Sequence, residues 1–260
     1  MSLKIAIFVD GPNFIGSIRR LHLEIDNFTE FYRHLLERSA EQYARSFVGA
    51  LAEPLQLWRI NWYQIGSIDD IRIDDPNYIY QLHELYRGTQ DISRAYQAIA
   101  CRENPNFGFD ECWDIGWNIF LDDARAWYAS RLVSLDKIRS FNRGIRSSLD
   151  FTRMVESGHW KVDLLRRQTV EKGVDTALAV DIVTLCHSYD IAILVSGDAD
   201  MIPSIQYAKQ NGKHVGVVEF RAPSDRAGAQ SSSRLKNESD FLVNISSVDL
   251  VEQRIARIRN

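Results

Sequence analysis

Ile191-Ala192-Ile193-Leu194-Val195-Ser196-Gly197-Asp198-Ala199-Asp200 decides the fold class of this chain. A short, unbroken apolar run with β-branched residues, bounded by a Ser-Gly-Asp turn, is the pattern of a strand buried on both faces. A helical pattern follows from Met201 to Asn211, closed by Gly212, and a second β-rich run spans His214 to Glu219. Strand, crossover helix and strand make a βαβ unit, and right-handed crossovers build a doubly wound, mostly parallel sheet. The expected class is α/β.

Outward from that unit, Lys4 to Val9 is a second continuous apolar run, ending in Asp10-Gly11-Pro12-Asn13, and is expected to be the central strand. Helical periodicity runs from Phe14 to about Ser39, with a break near Asp26, Asn27 and Thr29 where a new N-cap starts a second helix. Leu57 to Ile65 reads as another strand. A helix is expected from about Ser147 to Glu156, stopped by Gly158, and a short strand from Trp160 to Leu165. Lys172 to Ser188 repeats apolar residues at Val174, Leu178, Ile182 and Leu185, the spacing of an amphipathic helix. Phe220 to Asp240 is polar and reads as a loop. Phe241 to Ile245 reads as an edge strand, and Val248 to Ile258 as a closing helix capped by Ser246 or Ser247.

Between about residues 67 and 143 the alternation of strand and helix stops. This segment is expected to be a helical insertion in a domain spanning 1–246, with 247–260 as a C-terminal helix. It offers two helical stretches, Asn77 to Cys101 and Trp113 to Val133, with a Pro105 and Gly108 turn between them. Its aromatics are Tyr78, Tyr80, Tyr86, Tyr96, Trp113, Trp117, Phe120, Trp127 and Tyr128. A packed helical hairpin accounts for them; exposed, the same rings would make a stacking platform for single-stranded nucleic acid.

Composition bounds the function without choosing it. Hydrophobic residues at 45% and charged residues at 25% are ordinary for a globular protein. A net charge of −4 gives no global attraction to nucleic acid, so a polyanion would have to meet a local basic surface. Cys101, Cys112 and Cys186 lack CxxC spacing and a nearby histidine pair, and are expected to be buried thiols. The six histidines show no nucleophile or ligand spacing. No apolar run approaches the ~18 residues of a membrane span, so no membrane partner and a cytoplasmic location are expected.

The chemistry is read at the two turns that close the apolar runs, because open α/β sheets place their sites at the carboxyl ends of strands. Gly11 and Gly16 have Walker A spacing, but Ser17 stands where that loop needs lysine. No GxGxxG occurs in the turn, and Pro12 occupies the position of the second acid of an aspartyl-phosphate phosphatase. What remains is a strand-end carboxylate beside Asn13. Asp198 and Asp200 add oxygen donors of the kind Mg²⁺ or Mn²⁺ prefers, and such a cation offsets their mutual repulsion. Asp175 sits in the first turn of the Lys172 helix, where a carboxylate is also favoured by the helix dipole. Asp181 lies six residues on, about 9 Å along the helix and some 120° around it, which sets it apart from any ion that Asp175 holds.

Asp10-Gly-Pro-Asn13, Lys172-Gly-Val-Asp175 with Leu178 and Asp181, and Ser196-Gly-Asp198-Ala-Asp200, in this order, resemble the NYN domain of the PIN-like nuclease superfamily, close to its LabA-like branch. Gly212, Lys213, Val215 and the late Ser233, Leu235, Asp240 and Phe241 agree with it. The resemblance covers roughly residues 3–65 and 145–246. Met201 replaces the phenylalanine usual after the second aspartate, and the insertion lengthens the segment before Lys172; neither departure touches an acid.

The resemblance implies a three-layer, Rossmann-like PIN fold and a metal-dependent endoribonuclease. Asp10, Asp175, Asp198 and Asp200 would hold one or two Mg²⁺ or Mn²⁺ ions, Asn13 would orient a ligand or phosphate, and Asp181 would be an alternative ligand. Ser196, Lys172, Arg221, Arg226, Arg234 and Lys236 are candidate substrate contacts, with RNA the expected partner. A second copy or another protein is an alternative partner, through the insertion. Two other functions stay open: a catalytically weak NYN module that binds RNA or protein, and a nuclease acting on DNA, since the 2′-OH preference is not readable from these residues.

Overall fold

The computed structural model describes residues 2–46, 54–222 and 232–259. In chain order the elements are β1 (Leu3–Asp10), α1 (Gly11–Arg20), β2 (Leu23–Ile25), α2 (Phe28–Ser46), β3 (Leu55–Ile68), α3 (Pro76–Gly88), α4 (Gln90–Glu103) and α5 (Phe109–Ser148). They continue as β4 (Thr152–Asp163), β5 (Gln168–Lys172), α6 (Val174–Thr184), β6 (Ile191–Val195), α7 (Ile202–Gln210), β7 (His214–Arg221), α8 (Ser233–Glu238), β8 (Phe241–Ser246), α9 (Ser247–Glu252) and β9 (Ala256–Ile258). Seven strands make the main sheet, in the order β5-β4-β3-β1-β6-β7-β8. β1 pairs in parallel with both β3 and β6, and β6–β7 and β7–β8 are parallel as well. β5 is antiparallel to its neighbour, β4. The βαβ reading from Ile191 to Glu219 therefore holds, β1 is internal, and β8 is the edge strand expected at Phe241.

The chain divides into two compact units: residues 1–65, 140–158 and 173–260, and residues 66–139 and 159–172. In the first, the pleat of β1 and β6 sends alternate side chains to opposite faces. Ile5, Ile7, Val9, Ile191, Ile193 and Val195 pack with Phe14 and Ile18 of α1, Phe31 and Leu35 of α2, and Leu250 of α9. Ala6, Phe8, Ala192 and Leu194 pack instead with Val174, Leu178 and Ile182 of α6, Ile205 and Ala208 of α7, and Leu235 of α8. Helix, sheet and helix layers result.

The second unit has its own core of Leu82, Tyr86, Tyr96, Phe120, Leu121, Ala124, Tyr128, Leu164 and Leu165. Most of the insertion's aromatics are thus packing residues; Tyr86 and Phe120 are fully buried, while Tyr80 is exposed.

Five expectations need correction. Thr152 to Glu156 is strand, not helix: α5 runs on to Ser148, Phe151 takes φ +58°, and Met154 and Val155 then pack on opposite faces, a period of two. Gly158 lies inside that strand rather than capping a helix. Cys101 and Cys112 are not thiols but a disulfide, because the turn between α4 and α5 brings their Cα atoms to 5.2 Å; Cys186 is the buried thiol. The closing helix stops at Glu252, where Arg254 takes φ +57° and β9 turns back to pair antiparallel with β2. Within the expected polar loop, Ser233–Glu238 is helical.

Candidate functional site

The register Val9↔Val195 releases Asp10 and Ser196 from the sheet side by side, at the carboxyl ends of adjacent parallel strands. Asp10 caps α1: its Oδ1 accepts the Asn13 N–H at 3.0 Å, and Pro12 in the first turn needs no donor satisfied. Its other oxygen accepts the Ser196 hydroxyl at 3.0 Å. Ser196 Oγ in turn accepts the Asp198 N–H at 3.2 Å, and Gly197 donates to the Asn13 side-chain oxygen at 3.2 Å. The two turns are therefore laced together through Asn13 and Ser196. Asp198 Oδ1 accepts the Asp200 N–H at 2.9 Å, which opens the short helical turn Ala199–Met201.

Gly11 is demanded by this packing, since a Cβ there would stand 2.6 Å from the Tyr63 carbonyl and 2.7 Å from Trp62 Nε1. At the third motif, Gly173 takes φ +96°, open to glycine at little cost, and starts α6 so that Asp175 falls in its first turn.

Electrostatics tie the acids together. Burial pushes Asp10 up to about 6; its Asn13 and Ser196 bonds oppose this, while the charges of Asp175 and Asp198 add to it. Asp175 is raised by burial and then by Asp198 and Asp200. Each acid thus stands in the field of others, and among the described residues no lysine, arginine or histidine pairs with any of the four. An all-oxygen, uncompensated set suits a hard divalent cation in its donor chemistry. The arrangement is looser than a finished site: among the described residues, no group of three or more His, Cys, Asp or Glu is placed to hold a metal ion.

The other candidates are engaged elsewhere. Asp181 Oδ2 accepts the Tyr63 hydroxyl at 2.7 Å and Arg153 at 2.6 Å. Tyr63 is fully buried, held far above its ordinary range by burial first and by Asp181 second. Neither Tyr63 nor Arg153 carried a sequence signal; only the register Asp10↔Tyr63 reveals the tyrosine beside the site. Arg221 bonds Glu219 at 2.9 Å, and Lys236 pairs with the same carboxylate. Burial would raise Glu219, but its bonds to Lys236 and Arg221 outweigh that and hold it low. Arg234 is exposed on α8, and the Ser232 N–H just before that helix donates to the Gly197 carbonyl at 3.0 Å. Lys172 ends β5 in the second unit, in register with His159. Arg226 lies outside the described residues.

The family model described as NYN domain matches residues 123–245. Over those residues the chain is similar to the NYN domain. The match takes in the Asp175 and Ser196–Asp200 motifs of the NYN domain, whereas Asp10 and Asn13 precede it. Among curated proteins nothing matches. Among solved structures the chain is similar to a protein of unknown function from Vibrio parahaemolyticus, at 18% identity and a TM-score of 0.40 over 95% of this chain and 94% of that one. No helix among the described residues is long and apolar enough to cross a membrane.

Proposed function

We propose that the chain is a metal-dependent endonuclease that hydrolyses RNA phosphodiester bonds at Asp10, Asp175, Asp198 and Asp200. The observation that carries the reading is that Asp10 and Asp175, raised first by burial and then by neighbouring aspartates, have no basic partner among the described residues, with Asp10 at the end of one of two adjacent parallel strands. Holding such acids together costs stability, and a scaffold has no use for that cost. Asp10, Asp175, Asp198 and Asp200 would hold one or two Mg²⁺ or Mn²⁺ ions, which supply a bound water of lowered pKa and offset charge at the phosphate.

Around them the chain's own groups have defined tasks. The Ser196 hydroxyl donates a hydrogen bond to Asp10 and accepts the Asp198 N–H, so it sets the spacing of the two acids. Asn13 is fixed by Gly197 and keeps its amide NH₂ for a ligand or phosphate. Arg234, exposed next to the loop that binds Gly197, is the substrate cation of choice among the described candidates. RNA rather than DNA follows from the NYN resemblance alone.

One observation favours a second reading, an NYN module that binds RNA or protein without cleaving: no three acids stand in ligating array among the described residues. Labelled single-stranded RNA, duplex RNA and single-stranded DNA, incubated with the protein and Mn²⁺, Mg²⁺ or EDTA, separate these readings. Cleavage of RNA that stops with EDTA and with Asp198→Asn supports the nuclease. RNA binding without cleavage under every metal condition supports the module, and cleavage that survives the substitution refutes the site.

A further inference from the structure

The second unit holds a constellation apart from the acidic turns. Ser67 Oγ lies 2.9 Å from His159 Nδ1, and His159 Nε2 lies 2.7 Å from Asp69 Oδ1. The three come from the end of β3, the loop just after it, and β4, so no spacing in the sequence announces them. Asp69 is itself fixed: its other oxygen accepts the Val162 N–H at 2.7 Å, its carbonyl accepts the Tyr128 hydroxyl at 2.7 Å, and its N–H donates to the Trp160 carbonyl at 3.0 Å.

That anchoring sets the hydrogen positions. The Val162 N–H first, and then the His159 ring and the charge of Lys161, hold the Asp69 carboxyl below its ordinary value against the opposing effect of burial. An ionised carboxylate only accepts, so Nε2 of a neutral His159 carries the hydrogen and Nδ1 presents its lone pair to the Ser67 hydroxyl. Nucleophile on base and base on an orienting carboxylate, both within hydrogen-bond reach, is the arrangement that activates a serine, recognised by geometry rather than by sequence position. Ser67 is exposed and the imidazole is 39% exposed, so an electrophile reaches both from solvent.

We propose that Ser67 is an activated nucleophile, with His159 as its general base and Asp69 as the positioning carboxylate, and that it takes acyl groups from small activated esters. Ser67 Oγ bonds to the ester carbonyl carbon as its proton passes to His159 Nδ1. The carbon–oxygen bond to the leaving alcohol breaks, that oxygen takes the proton from Nδ1, and the acyl group stays on Ser67. Water then bonds to the acyl carbon as its proton passes to the same nitrogen; the bond to Ser67 Oγ breaks, that oxygen takes the proton back from Nδ1, and a carboxylic acid leaves. This site is independent of the nuclease reading and uses none of its residues.

The full chain is incubated with a fluorophosphonate probe, which phosphonylates activated serines, and the modified residue is located by peptide mass spectrometry; p-nitrophenyl acetate hydrolysis is followed in parallel. Ser130 is the internal control, exposed but bonded to the Trp127 carbonyl and Arg131 with no imidazole. Labelling is expected at Ser67 and not at Ser130, and to vanish in Ser67→Ala. His159→Ala should slow it ~100-fold or more, with partial recovery on adding imidazole, which cannot repair a misfolded chain. Asp69→Asn should slow it too, and Asp69→Glu should restore part of the rate. Labelling of Ser67 no faster than Ser130, or unchanged in His159→Ala, makes the cluster a clasp between strands and overturns the proposal.

Discussion

Asp10 carries the sharpest consequences at the scale of single residues. Its folded pKa of about 6 exceeds its ordinary 3.8, so between those values the folded chain keeps a proton that the unfolded chain has lost. Ionised Asp10 therefore costs stability above pH 6, and on its account the metal-free protein becomes more stable as pH falls through that window. Asp10→Asn, which keeps an oxygen for the Asn13 N–H, should stabilise metal-free protein at pH 8 by roughly 1–3 kcal/mol and by far less at pH 4. Urea unfolding at the two pH values measures this. Gly11→Ala should do the reverse, destabilising by ~1–3 kcal/mol because its Cβ meets backbone and an indole rather than a yielding side chain. The turn residues were legible because strand-end acids follow apolar runs. Ser67, Asp69 and His159 were not, since tertiary pairing alone brings them together.

At the scale of elements, α6 carries two acids with different surroundings. Asp175 in its first turn has no hydrogen-bond partner among the described residues, while Asp181 is clamped by Tyr63 and Arg153. Asp181→Ala should destabilise by ~1–3 kcal/mol, since it strips a buried phenol of its acceptor, and should leave divalent-ion binding intact. Thermal shifts with and without Mn²⁺ test both halves; loss of the Mn²⁺ shift in this variant would move Asp181 into the ion's ligand set. The elements of the parallel sheet were readable because β1 and β6 are buried on both faces and so continuously apolar. The stretch from Ser147 to Glu156 misled because its serine and acids mimic helix capping. Phe151 in the left-handed region, which no local pattern demands, turns it into strand. Likewise β2 and β9 are only three residues each and need one another to form.

At the scale of the whole molecule, two units with separate cores make one unfolding transition unnecessary. The Cys101–Cys112 bridge closes a loop of separation 11 within the second unit, so reducing it should cost about 2–3 kcal/mol there. Hydrogen exchange with and without reductant should show the loss in residues of that unit, with protection in β1, β6 and β7 unchanged. The bridge was hidden in the sequence because the α4–α5 turn, not a spacing motif, aligns its cysteines. At the same scale the central claim is that the acids at the ends of β1 and β6 and at the start of α6 form one divalent-cation site. Mn²⁺ binding followed by electron paramagnetic resonance tests it most directly. Saturable binding by the wild-type chain is expected, competed by Mg²⁺ and weakened at least tenfold in Asp198→Asn and in Asp10→Asn. No saturable binding by the wild type, or equal binding by both variants, would contradict it.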